Sequence, residues 1–577
     1  MTALIQIENL HYRPENLAPD QPDILRGISL TIDEGDFVAI VGKNGSGKTT
    51  LIKHINGLLF PTQGRVQVDG LDTHLPENRA RLQSLVGMVF QNPADQIVAS
   101  TVEEDVAFGL ENFNLPTEDI RARVAEQLAA AGLTLEAARP PHLLSGGQIQ
   151  KVALAGVLAR QPRVILFDEP TSMLDPQTRQ SFLRRLELLH QDGLTLIYVT
   201  HHMEEIVNAD KVVVLHDGLA VHMGNPEEIF GGTINLHEIG LENPEVVNVA
   251  ENFKSLGWFN DRPILSPQAL LDALPVYDGG NHISSQGLIP VPLRPTESFI
   301  QLDDVHYTYL SGSPLAQIAL RGADFIVQQG SVSAIAGSNG SGKSTLLQHI
   351  NGILRPDSGH VRVGKWAIED PQTPLREVIR DVGLVFQSPE AQFFEVFVGD
   401  EIAYGPKQFN MDLLRERVRN AMELVGLDFE AYKDRRLETL SGGEKRKVAL
   451  ASTLVLDQQV LLFDEPTAGM DPQAREDLLG LFIALRDQGK TIIIASHRMD
   501  ELASVAKNLS LMHSGRIIQS GPSAKVFSDS TAVRQAGLLP PLSIQISQRL
   551  IEKGWPIKGE DTSTPERLFS VIKDVVR

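Results

Sequence analysis

Cysteine is absent from all 577 residues, which excludes disulfides, thiol catalysis and zinc or iron–sulfur sites built on cysteine. Long apolar runs are missing too, and none approaches the roughly 18 residues that a membrane-spanning helix needs. The opening residues, MTALIQIENLHY, have neither the basic nor the apolar segment of a signal peptide. We therefore expect the protein to stay in the cytoplasm.

Positive charge is scarce as well. The chain has 52 Lys and Arg against 73 Asp and Glu, a net charge of −21, and it has no strongly basic block. Nucleic-acid binding depends on neutralising phosphates with Lys and Arg, so DNA or RNA is not expected as the main partner. The apolar share of 42% is that of an ordinary globular protein with buried cores.

The most informative feature that is present is an internal repeat. The segment GKNGSGKTTLIKHINGLL from Gly42 returns as GSNGSGKSTLLQHINGIL from Gly337, an offset of 295 residues. From FQNP at Phe90 and FQSP at Phe386 onwards the offset is 296, through LSGGQ and LSGGE, LFDEPTSMLDP and LFDEPTAGMDP, and VTHHMEEI and ASHRMDEL. The repeat predicts two copies of one module, at residues 1–230 and 299–525.

A shorter repeat follows each module. Segments that begin with ENPEVV at Glu242 and LPPLSI at Leu539 both hold a proline, an amphipathic helical pattern, a GW pair and a second short helix. We interpret residues 231–276 and 526–577 as small helical tails. Residues 277–298, rich in Gly, Pro and Ser without periodicity, are the expected linker.

In each copy, continuous apolar runs end in polar or glycine-rich motifs. FVAIVG and SVSAIAG precede the repeated loops, VILFDEP and VLLFDEP end in acidic residues, and LTLIYVTH and TIIIASH end in histidine. Such runs are typical of parallel strands buried on both faces. The predicted fold class is therefore α/β, with two tandem P-loop modules whose ligand lies at the carboxyl ends of the strands.

Both repeated loops fit the phosphate-binding pattern G-x-x-x-x-G-K-[ST], after a strand and before a helix. Their glycines let backbone N–H groups curl round a β-phosphate, the lysine reaches the β- and γ-oxygens, and the last hydroxyl ligates Mg²⁺. The pattern predicts a nucleoside triphosphate with Mg²⁺. The loop residues expected to bind the nucleotide are Gly42, Asn44, Gly45, Ser46, Gly47, Lys48, Thr49, Thr50, Gly337, Asn339, Gly340, Ser341, Gly342, Lys343, Ser344 and Thr345.

Two acidic residues close each of the next apolar runs. Asp168 and Asp464 can hold Mg²⁺ through water, and the residues that follow them, Glu169 and Glu465, are placed to orient or deprotonate an attacking water. The alternative is a carboxylate pair that only caps a strand end. The phosphate loops upstream favour the catalytic interpretation.

His201 and His497 end the strands expected beside those that carry the acidic pairs. A lone histidine is more often a packing or surface residue than a reactive one, but both of these follow strands that should end beside the phosphates. We predict that they contact the γ-phosphate. His202 falls where the second copy has Arg498 and is expected to be a surface residue.

LSGGQ at Leu144 and LSGGE at Leu440 place a serine and two glycines at the start of a helix, an arrangement suited to gripping phosphate. Together with Gln91 and Gln387, each after a VF pair, these motifs make the chain resemble the ATP-binding cassette (ABC) ATPases. The resemblance covers essentially the whole length apart from the tails and the linker.

The resemblance implies that the signature serine of one cassette completes the ATP site of the other, in an intramolecular head-to-tail pair with two sites. ATP would close this pair and its hydrolysis would open it. The resemblance also assigns further residues. They are Gln91, Gln387, Ser145, Gly146, Gly147, Ser441, Gly442 and Gly443 for ATP; Thr49, Gln91, Asp168, Ser344, Gln387 and Asp464 for Mg²⁺; Glu169, His201, Glu465 and His497 for catalysis; and Asp175 and Asp471 as D-loop aspartates.

Both copies retain every residue type that hydrolysis needs, so both sites are expected to be competent. One position differs. Tyr309, in HYTY, matches the family's adenine-stacking aromatic residue, whereas HYRP in the first copy places Pro14 there. Tyr12 is the alternative stacking residue in the first copy. The first site is expected to hold adenine less tightly than the second, by about 0.5–1.5 kcal/mol.

The segments after the two glutamines, FQNPADQIVASTVEEDVAFGLEN and FQSPEAQFFEVFVGDEIAYGPKQ, share P-x-x-Q and an acidic helix start. They resemble the two paired ATPases of energy-coupling factor (ECF) transporters. The resemblance implies a peripheral protein at the cytoplasmic face of the cell membrane, bound to coupling helices of an integral-membrane T-type scaffold that works with a small substrate-binding membrane subunit. The residues placed to receive basic side chains of those helices are Glu103, Glu104, Asp105, Asp400 and Glu401, unless these only form a solvated helix start favoured by the macrodipole.

By the same resemblance, the expected cargo is a vitamin, a vitamin precursor or a metal ion. One alternative is a soluble tandem ABC protein that acts on ribosomes in translation, a class that generally needs a basic arm between its cassettes. Here residues 226–297 hold ten acidic side chains against Lys254, Arg262 and Arg294. A fused ATPase of another ABC importer, for sugars or peptides, is the closer alternative, although the second cassette of such proteins usually looks degenerate.

Overall fold

The structure is a computed structural model that describes residues 3–15, 22–113, 115–172, 174–259, 262–277, 298–313, 316–387, 392–468, 470, 472–558 and 562–576. Contacts divide the chain into two compact units, Met1–Leu174 with Thr178–Leu270, and Asp175–Gln177 with Leu271–Arg577. The finer bounds of cassettes, tails and linker stay predictions. The linker lies outside the described residues except for its first and last positions.

The first half of the chain contains ten strands and nine helices among its described residues. The strands are β1 (Ala3–Tyr12), β2 (Leu25–Asp33), β3 (Phe37–Val41), β4 (Gln63–Val68), β5 (Leu71–Asp72), β6 (Val86–Val89), β7 (Val164–Asp168), β8 (Thr195–Thr200), β9 (Lys211–His216) and β10 (Leu219–Gly224). The helices are α1 (Lys48–Ile55), α2 (Arg79–Leu85), α3 (Val102–Glu111), α4 (Thr117–Ala131), α5 (Gly146–Ala159), α6 (Pro176–Gln191), α7 (Pro226–Glu228), α8 (Glu245–Lys254) and α9 (Pro267–Ala273).

The second half repeats this order. Its strands are β11 (Ser298–Tyr309), β12 (Gln317–Gln328), β13 (Val332–Ala336), β14 (Ser358–Val363), β15 (Trp366–Ala367), β16 (Val382–Val385), β17 (Val460–Asp464), β18 (Thr491–Ser496), β19 (Asn508–His513) and β20 (Arg516–Pro522). Its helices are α10 (Lys343–Asn351), α11 (Leu375–Asp381), α12 (Val398–Gln408), α13 (Leu414–Leu424), α14 (Phe429–Tyr432), α15 (Gly442–Leu454), α16 (Pro472–Asp487), α17 (Met499–Val505), α18 (Ser523–Ser528), α19 (Ser530–Gln535), α20 (Leu542–Glu552) and α21 (Pro565–Val576).

A six-stranded sheet forms the centre of each unit, in the orders β10-β9-β3-β8-β7-β6 and β16-β17-β18-β13-β19-β20. All strands of each sheet run parallel except the antiparallel edge strands β10 and β20. Every residue of β3, β7 and β8, and of their counterparts β13, β17 and β18, is buried. A strand covered on both faces needs apolar side chains on both faces, which is why these segments are continuous apolar runs. The predicted α/β class with two tandem modules is confirmed.

The strand register gathers the functional loops at one edge of each central sheet. In the first unit Val41 pairs with Thr200 on β8, and Asp168 pairs with Val199 on the same strand. The second unit has the equivalent pairs between β13, β17 and β18. The chain therefore leaves three adjacent strands at the same carboxyl edge, which is where open parallel sheets bind their ligands.

A smaller antiparallel sheet, β2-β1-β4-β5 or β12-β11-β14-β15, covers the helix that follows each phosphate loop. In the first unit, Ile5 and Ile7 of β1 share one apolar core with Leu51 of α1 and Val199 of β8. Burial of this core fixes the position of α1 against the end of β8. The loop that begins α1 is thereby placed beside the other functional loops.

The tail regions are helical, with α8 and α9 in the first tail and α20 and α21 in the second. Helix α8 buries Val246, Val249 and Phe253, and α20 buries Ile544 and Leu550. Each tail thus contributes to a core instead of projecting as an isolated helix. Among the described residues, no helix combines the length and apolarity that a membrane crossing requires.

Candidate functional site

Each phosphate loop has a shape that only glycine allows at two places. Gly47 has φ 100°, and a Cβ there would lie 2.7 Å from Leu25 Cδ2. At Gly42 a Cβ would lie 2.3 Å from the carbonyl oxygen of Leu215. Helix α1 begins directly after Gly47 with no side-chain cap. Its first N–H groups are therefore open to an anion, which is how helix N-termini hold phosphate.

The lysine of each loop is buried over this cradle. Lys48 is 6% exposed, and its Nζ donates hydrogen bonds to the carbonyl oxygens of Gly42 at 2.7 Å and Lys43 at 3.1 Å. It also lies 3.7 Å from Glu169 Oε1. In the second unit Lys343 repeats these contacts, at 3.4 Å from Glu465 Oε1. The ammonium group is held in place before any ligand arrives, so little side-chain freedom is lost on binding.

The predicted Mg²⁺ residues meet beside the loop. Thr49 Oγ1 donates to Asp168 Oδ1 at 2.9 Å. Burial raises the pKa of Asp168 above its ordinary value although this hydrogen bond lowers it. In the second unit burial raises the pKa of Asp464 to about 6, against a hydrogen bond from Ser344.

One of these carboxylates has spare coordinating capacity. Within the described part of the chain, Asp464 Oδ1 is buried and has no hydrogen-bond partner. Mg²⁺ prefers carboxylate, hydroxyl and water oxygens, and it offsets the cost of a buried negative charge. The residues present in both units therefore fit the cation.

The two glutamates are held in an ionised state. His201 Nδ1 lies 3.2 Å from Glu169 Oε2, and Gln91 Nε2 donates to the same oxygen at 3.3 Å. Burial raises the pKa of Glu169, but His201 and Lys48 more than offset this, so the pKa lies below its ordinary value. In the second unit His497 and Lys343 lower the pKa of Glu465 in the same way. An ionised carboxylate in this position can orient a water molecule and accept its proton.

The backbone at these glutamates adopts a conformation that sequence did not predict. Glu169 and Glu465 have φ of 45° and 47°, in the left-handed region that residues other than glycine seldom occupy. Their amides donate to the carbonyl oxygens of Val199 and Ala495 on the neighbouring strands. The turn points both side chains towards the loop lysines at a cost of about 1 kcal/mol or more.

A buried acidic network behind each histidine also went unpredicted. Glu205 is 5% exposed and accepts hydrogen bonds from Thr171 Oγ1 at 2.6 Å, Tyr198 Oη at 2.8 Å and Thr200 Oγ1 at 2.8 Å. Glu501 occupies the equivalent place in the second unit. The sequence feature that could have indicated this network is the glutamate at the same place in HHMEEI and HRMDEL, which is Glu205 in the first copy and Glu501 in the second. This network ties the end of β8 to the turn after β7, and so fixes His201 against Glu169.

The signature serines lie at the starts of α5 and α15. Ser145 Oγ accepts from the Gln148 amide at 3.3 Å, and Ser441 Oγ accepts from the Glu444 amide at 3.3 Å. Both pairs form capping boxes, so the first turn of each helix is well ordered. Of the glycines that follow, Gly146 and Gly442 are exposed, and Gly147 and Gly443 are half-buried. Their expected role in an ATP site of the other cassette stays a prediction.

The remaining predicted residues lie as follows. Gln387 is the last described residue before a gap, and its carbonyl oxygen accepts from Arg446 at 3.3 Å. Asp175 is buried, whereas Asp471 lies outside the described residues. Asn44 and Asn339 lie in the phosphate loops, and Thr50 and Thr345 lie in the first turns of α1 and α10.

The aromatic residues differ between the units, and the stacking of adenine on Tyr309 stays a prediction. Tyr309 Oη lies 3.1 Å from Thr345 Oγ1, so this ring packs over the start of α10. Tyr12 packs edge-on against His54, with ring centroids 4.8 Å apart, and Tyr307 packs on His349 in the same manner at 4.9 Å. Tyr12 therefore corresponds to a structural ring of the second unit and does not take the place of Tyr309.

In each of the two units, a phosphate-binding loop and an ionised glutamate lie side by side at the carboxyl edge of the parallel sheet. This combination defines a P-loop nucleoside triphosphatase with two modules. Comparison with known proteins narrows this class. The family model described as ABC transporter matches residues 25–172 and 320–468, more than half of the chain. The chain belongs to the ABC transporter family.

Relatives match along nearly the full length. A protein of Methanosarcina mazei is 30% identical over 98% of this chain and 97% of its own, and one of Caldanaerobacter subterraneus subsp. tengcongensis is 31% identical over 91% and 93%. Both carry the provisional name ABC transporter ATP-binding protein. Among solved structures, cbiO1 of Clostridium perfringens, part of the ABC transporter complex cbiONQ, is 34% identical over 44% of this chain and 99% of that chain, with a TM-score of 0.37.

The family membership confirms three predictions. The chain is a tandem ABC ATPase, it uses ATP with Mg²⁺, and it hydrolyses ATP in order to drive transport.

Proposed function

We propose that this chain is the energy-coupling ATPase of an ECF-type importer. Its two cassettes pair within one chain, and the chain binds at the cytoplasmic face of the membrane to a T-type scaffold that carries a small substrate-binding subunit. The proposed cargo is a vitamin, a vitamin precursor or a metal ion. The fold by itself supports an ATPase activity but does not identify a membrane partner. The proposal therefore depends on the surface that would bind the scaffold.

A matched surface in the two units is the observation that carries this proposal. In the first unit Val98 and Phe108 are 62% and 50% exposed, although both are large apolar side chains. Their counterparts at the same offset, Phe394 and Tyr404, are 75% and 37% exposed and stack with ring centroids 5.5 Å apart. Large exposed apolar side chains beside a functional loop are typical of protein docking sites. Two matched sites suit a partner that presents two similar helices.

Acidic side chains border each apolar pair. Glu103 and Glu104 are exposed in the first turn of α3, and Asp400 is exposed in the first turn of α12, where Lys407 Nζ lies 3.0 Å from its Oδ1. An apolar centre with a negative border fits an amphipathic helix with basic residues. This combination supports a scaffold with basic coupling helices.

The structure corrects part of the predicted acidic set. Glu401 is 4% exposed, and its Oε2 accepts hydrogen bonds at 2.9 Å from the amides of Phe394 and Glu395. Its counterpart Asp105 accepts from the amides of Val98 and Ala99. These two carboxylates shape the loop that presents the apolar side chains, and the buried Glu401 is therefore not available to a partner. The sequence could not reveal this, because all five acidic residues occupy the same helix starts.

The site residues have the following proposed roles. Lys48 and Lys343 bind the β- and γ-phosphates, and each hydroxyl–aspartate pair positions Mg²⁺. Glu169 and Glu465 each orient a water molecule and take its proton. His201 and His497 hold these glutamates and contact the γ-phosphate. The signature glycines of each cassette complete the site of the other.

The test combines an ATP-trapped chain with a charge-reversal pair. The Glu169→Gln/Glu465→Gln variant should lose ATP hydrolysis and keep ATP binding, and with ATP it should fractionate with membranes in a detergent-stable complex with a small integral protein. Adding Glu104→Lys/Asp400→Lys should release it from the membrane. The control, Glu118→Lys/Glu416→Lys, makes the same charge change at exposed first-turn positions of α4 and α13.

Each result distinguishes between functions. Release by the first reversal but not by the control would support the proposed docking surface, and the co-purified protein would then narrow the cargo. Co-sedimentation of the trapped variant with ribosomes would instead favour a translation factor. Recovery with a large permease and no small subunit would favour another class of importer.

A further inference from the structure

The first unit contains a cavity beside helix α5, and of the residues assigned to the ATP sites it is lined only by Gly147. Its volume is about 310 Å³, and it lies between α4, α5 and α6. Its walls are mainly aliphatic and aromatic, with Leu154, Ala155, Leu158, Phe182 and Leu188 among the lining residues. A volume at the lower end of the range for small-molecule sites corresponds to a ligand of roughly ten to fifteen heavy atoms.

An unsatisfied donor lies in the wall of this cavity. Gln150 lines it and is 1% exposed, and among the described residues its side-chain Nε2 is buried without a hydrogen-bond partner. An unpaired buried amide is unfavourable, typically by about 1–3 kcal/mol, unless a ligand or a water molecule accepts from it. The amide can therefore donate a hydrogen bond to a ligand in the cavity.

Positive charge is concentrated at the same cavity. Lys151, Arg184 and Arg185 all belong to its lining, and no carboxylate in the described part of the chain forms an ion pair with any of the three. These three cations line one cavity in a chain whose net charge is −21. They favour an anionic head group above an apolar body.

The second unit lacks this combination at the equivalent positions. Arg446 stands where the first unit has Gln150, and its guanidinium donates to the carbonyl oxygens of Pro466 at 3.0 Å and Gln387 at 3.3 Å. Gly480 and Leu481 replace the two arginines of α6, and only the lysine is retained, as Lys447. The second unit has the same fold without these residues, so the fold itself does not require them.

We propose that the cavity between α4, α5 and α6 binds a small amphipathic carboxylate, such as a medium-chain fatty acid. The apolar chain lies among the leucines and Phe182, and the Gln150 amide and the basic border hold the carboxylate. All the lining residues belong to the first unit, so one molecule binds to each chain.

The test is isothermal titration of the full-length wild-type chain with decanoate, with decylamine and decanol as ligands of similar length that carry a positive charge or none. We expect one saturable decanoate site, and affinities at least about tenfold weaker for the amine and the alcohol. Arg184→Gln/Arg185→Gln and, separately, Lys151→Gln should each weaken decanoate binding by about tenfold or less. The matched control is Lys447→Gln in the second unit, which should leave binding unchanged.

The proposal would be overturned by a lack of saturable decanoate binding, by equal affinity for decanoate and decylamine, or by equal weakening by Lys151→Gln and Lys447→Gln. Titration in the presence of a non-hydrolysable ATP analogue separates this cavity from the phosphate loops. Displacement of decanoate by the analogue at its phosphate site would also contradict the assignment. ATPase activity of each variant reports whether the fold is intact, so that a loss of binding with retained activity is attributable to the cavity.

Discussion

Replacing Asp464 with Asn should stabilise the protein when no nucleotide or Mg²⁺ is present. Burial raises the pKa of this carboxyl from 3.8 to about 6, so the folded chain binds the proton more tightly than the unfolded chain does. Stability of the wild type therefore falls as the pH rises from about 4 through about 6. Asparagine has nearly the same shape and cannot ionise, and the penalty disappears in the variant.

The size of the gain follows from the two pKa values. A shift of about two units gives a gain of about 2 kcal/mol at pH 5 that rises to about 3 kcal/mol at pH 8. For a unit of this size, the larger value corresponds to a rise of about 5 °C in the melting temperature. Asp168→Asn in the first unit should act in the same direction, because burial raises that pKa as well.

Differential scanning calorimetry of the full chain in EDTA, at several pH values between 5 and 8, measures this gain. Addition of ATP and Mg²⁺ should then stabilise the wild type more than the variant, because the cation supplies the positive charge that the buried carboxylate lacks. A variant that is less stable than the wild type at pH 8, or a difference that does not change with pH, would refute the reasoning. The first result would mean that contacts of the ionised carboxylate, such as the hydrogen bond from Ser344, outweigh the cost of burying the charge, and the second that burial does not raise this pKa.

Three further outcomes follow from the site. Tyr309→Ala should weaken ATP binding at the second site by about two- to tenfold in fluorescent-nucleotide titrations, whereas Pro14→Ala should change it little. Glu205→Ala should lower the free energy of unfolding by about 2–4 kcal/mol in urea denaturation, since three donors lose their acceptor; an unchanged midpoint would contradict the network. Lys48→Ala/Lys343→Ala should reduce steady-state ATP hydrolysis by about 100-fold or more, and activity near the wild-type level would remove both lysines from the proposed mechanism.

The elements that position the site were predictable because their signals are local. Continuous apolar runs indicated the buried strands, and the glycine pattern between a run and a helix indicated the phosphate loop. The order of motifs along the chain then placed Asp168, Glu169 and His201 at neighbouring strand ends. The structure adds the order and register of the predicted parallel strands, which bring these ends to one edge.

What escaped prediction depends on contacts between distant segments. Glu401 and Asp400 are adjacent in sequence, yet one is buried beneath a loop and the other is exposed. The left-handed turn at Glu169 arises because its amide bonds to β8, and no residue pattern encodes that bond. The cavity beside Gln150 likewise depends on how three helices pack, and a helical periodicity does not reveal where they leave a space.

One of the connections at which the two halves of the chain differ in length bears on how the protein can be modified. Between β5 and α2 the first unit has residues 73–78, and between β15 and α11 the second has residues 368–374, one more, while the flanking elements keep their offsets. In the first unit residues 74–77 are exposed, and loops of this kind accept added residues readily. The second half of the chain thus shows that this loop can be one residue longer while the flanking elements still form. A short epitope or a fluorophore attachment sequence inserted there should report on the protein without changing the spacing of the strands that carry the site.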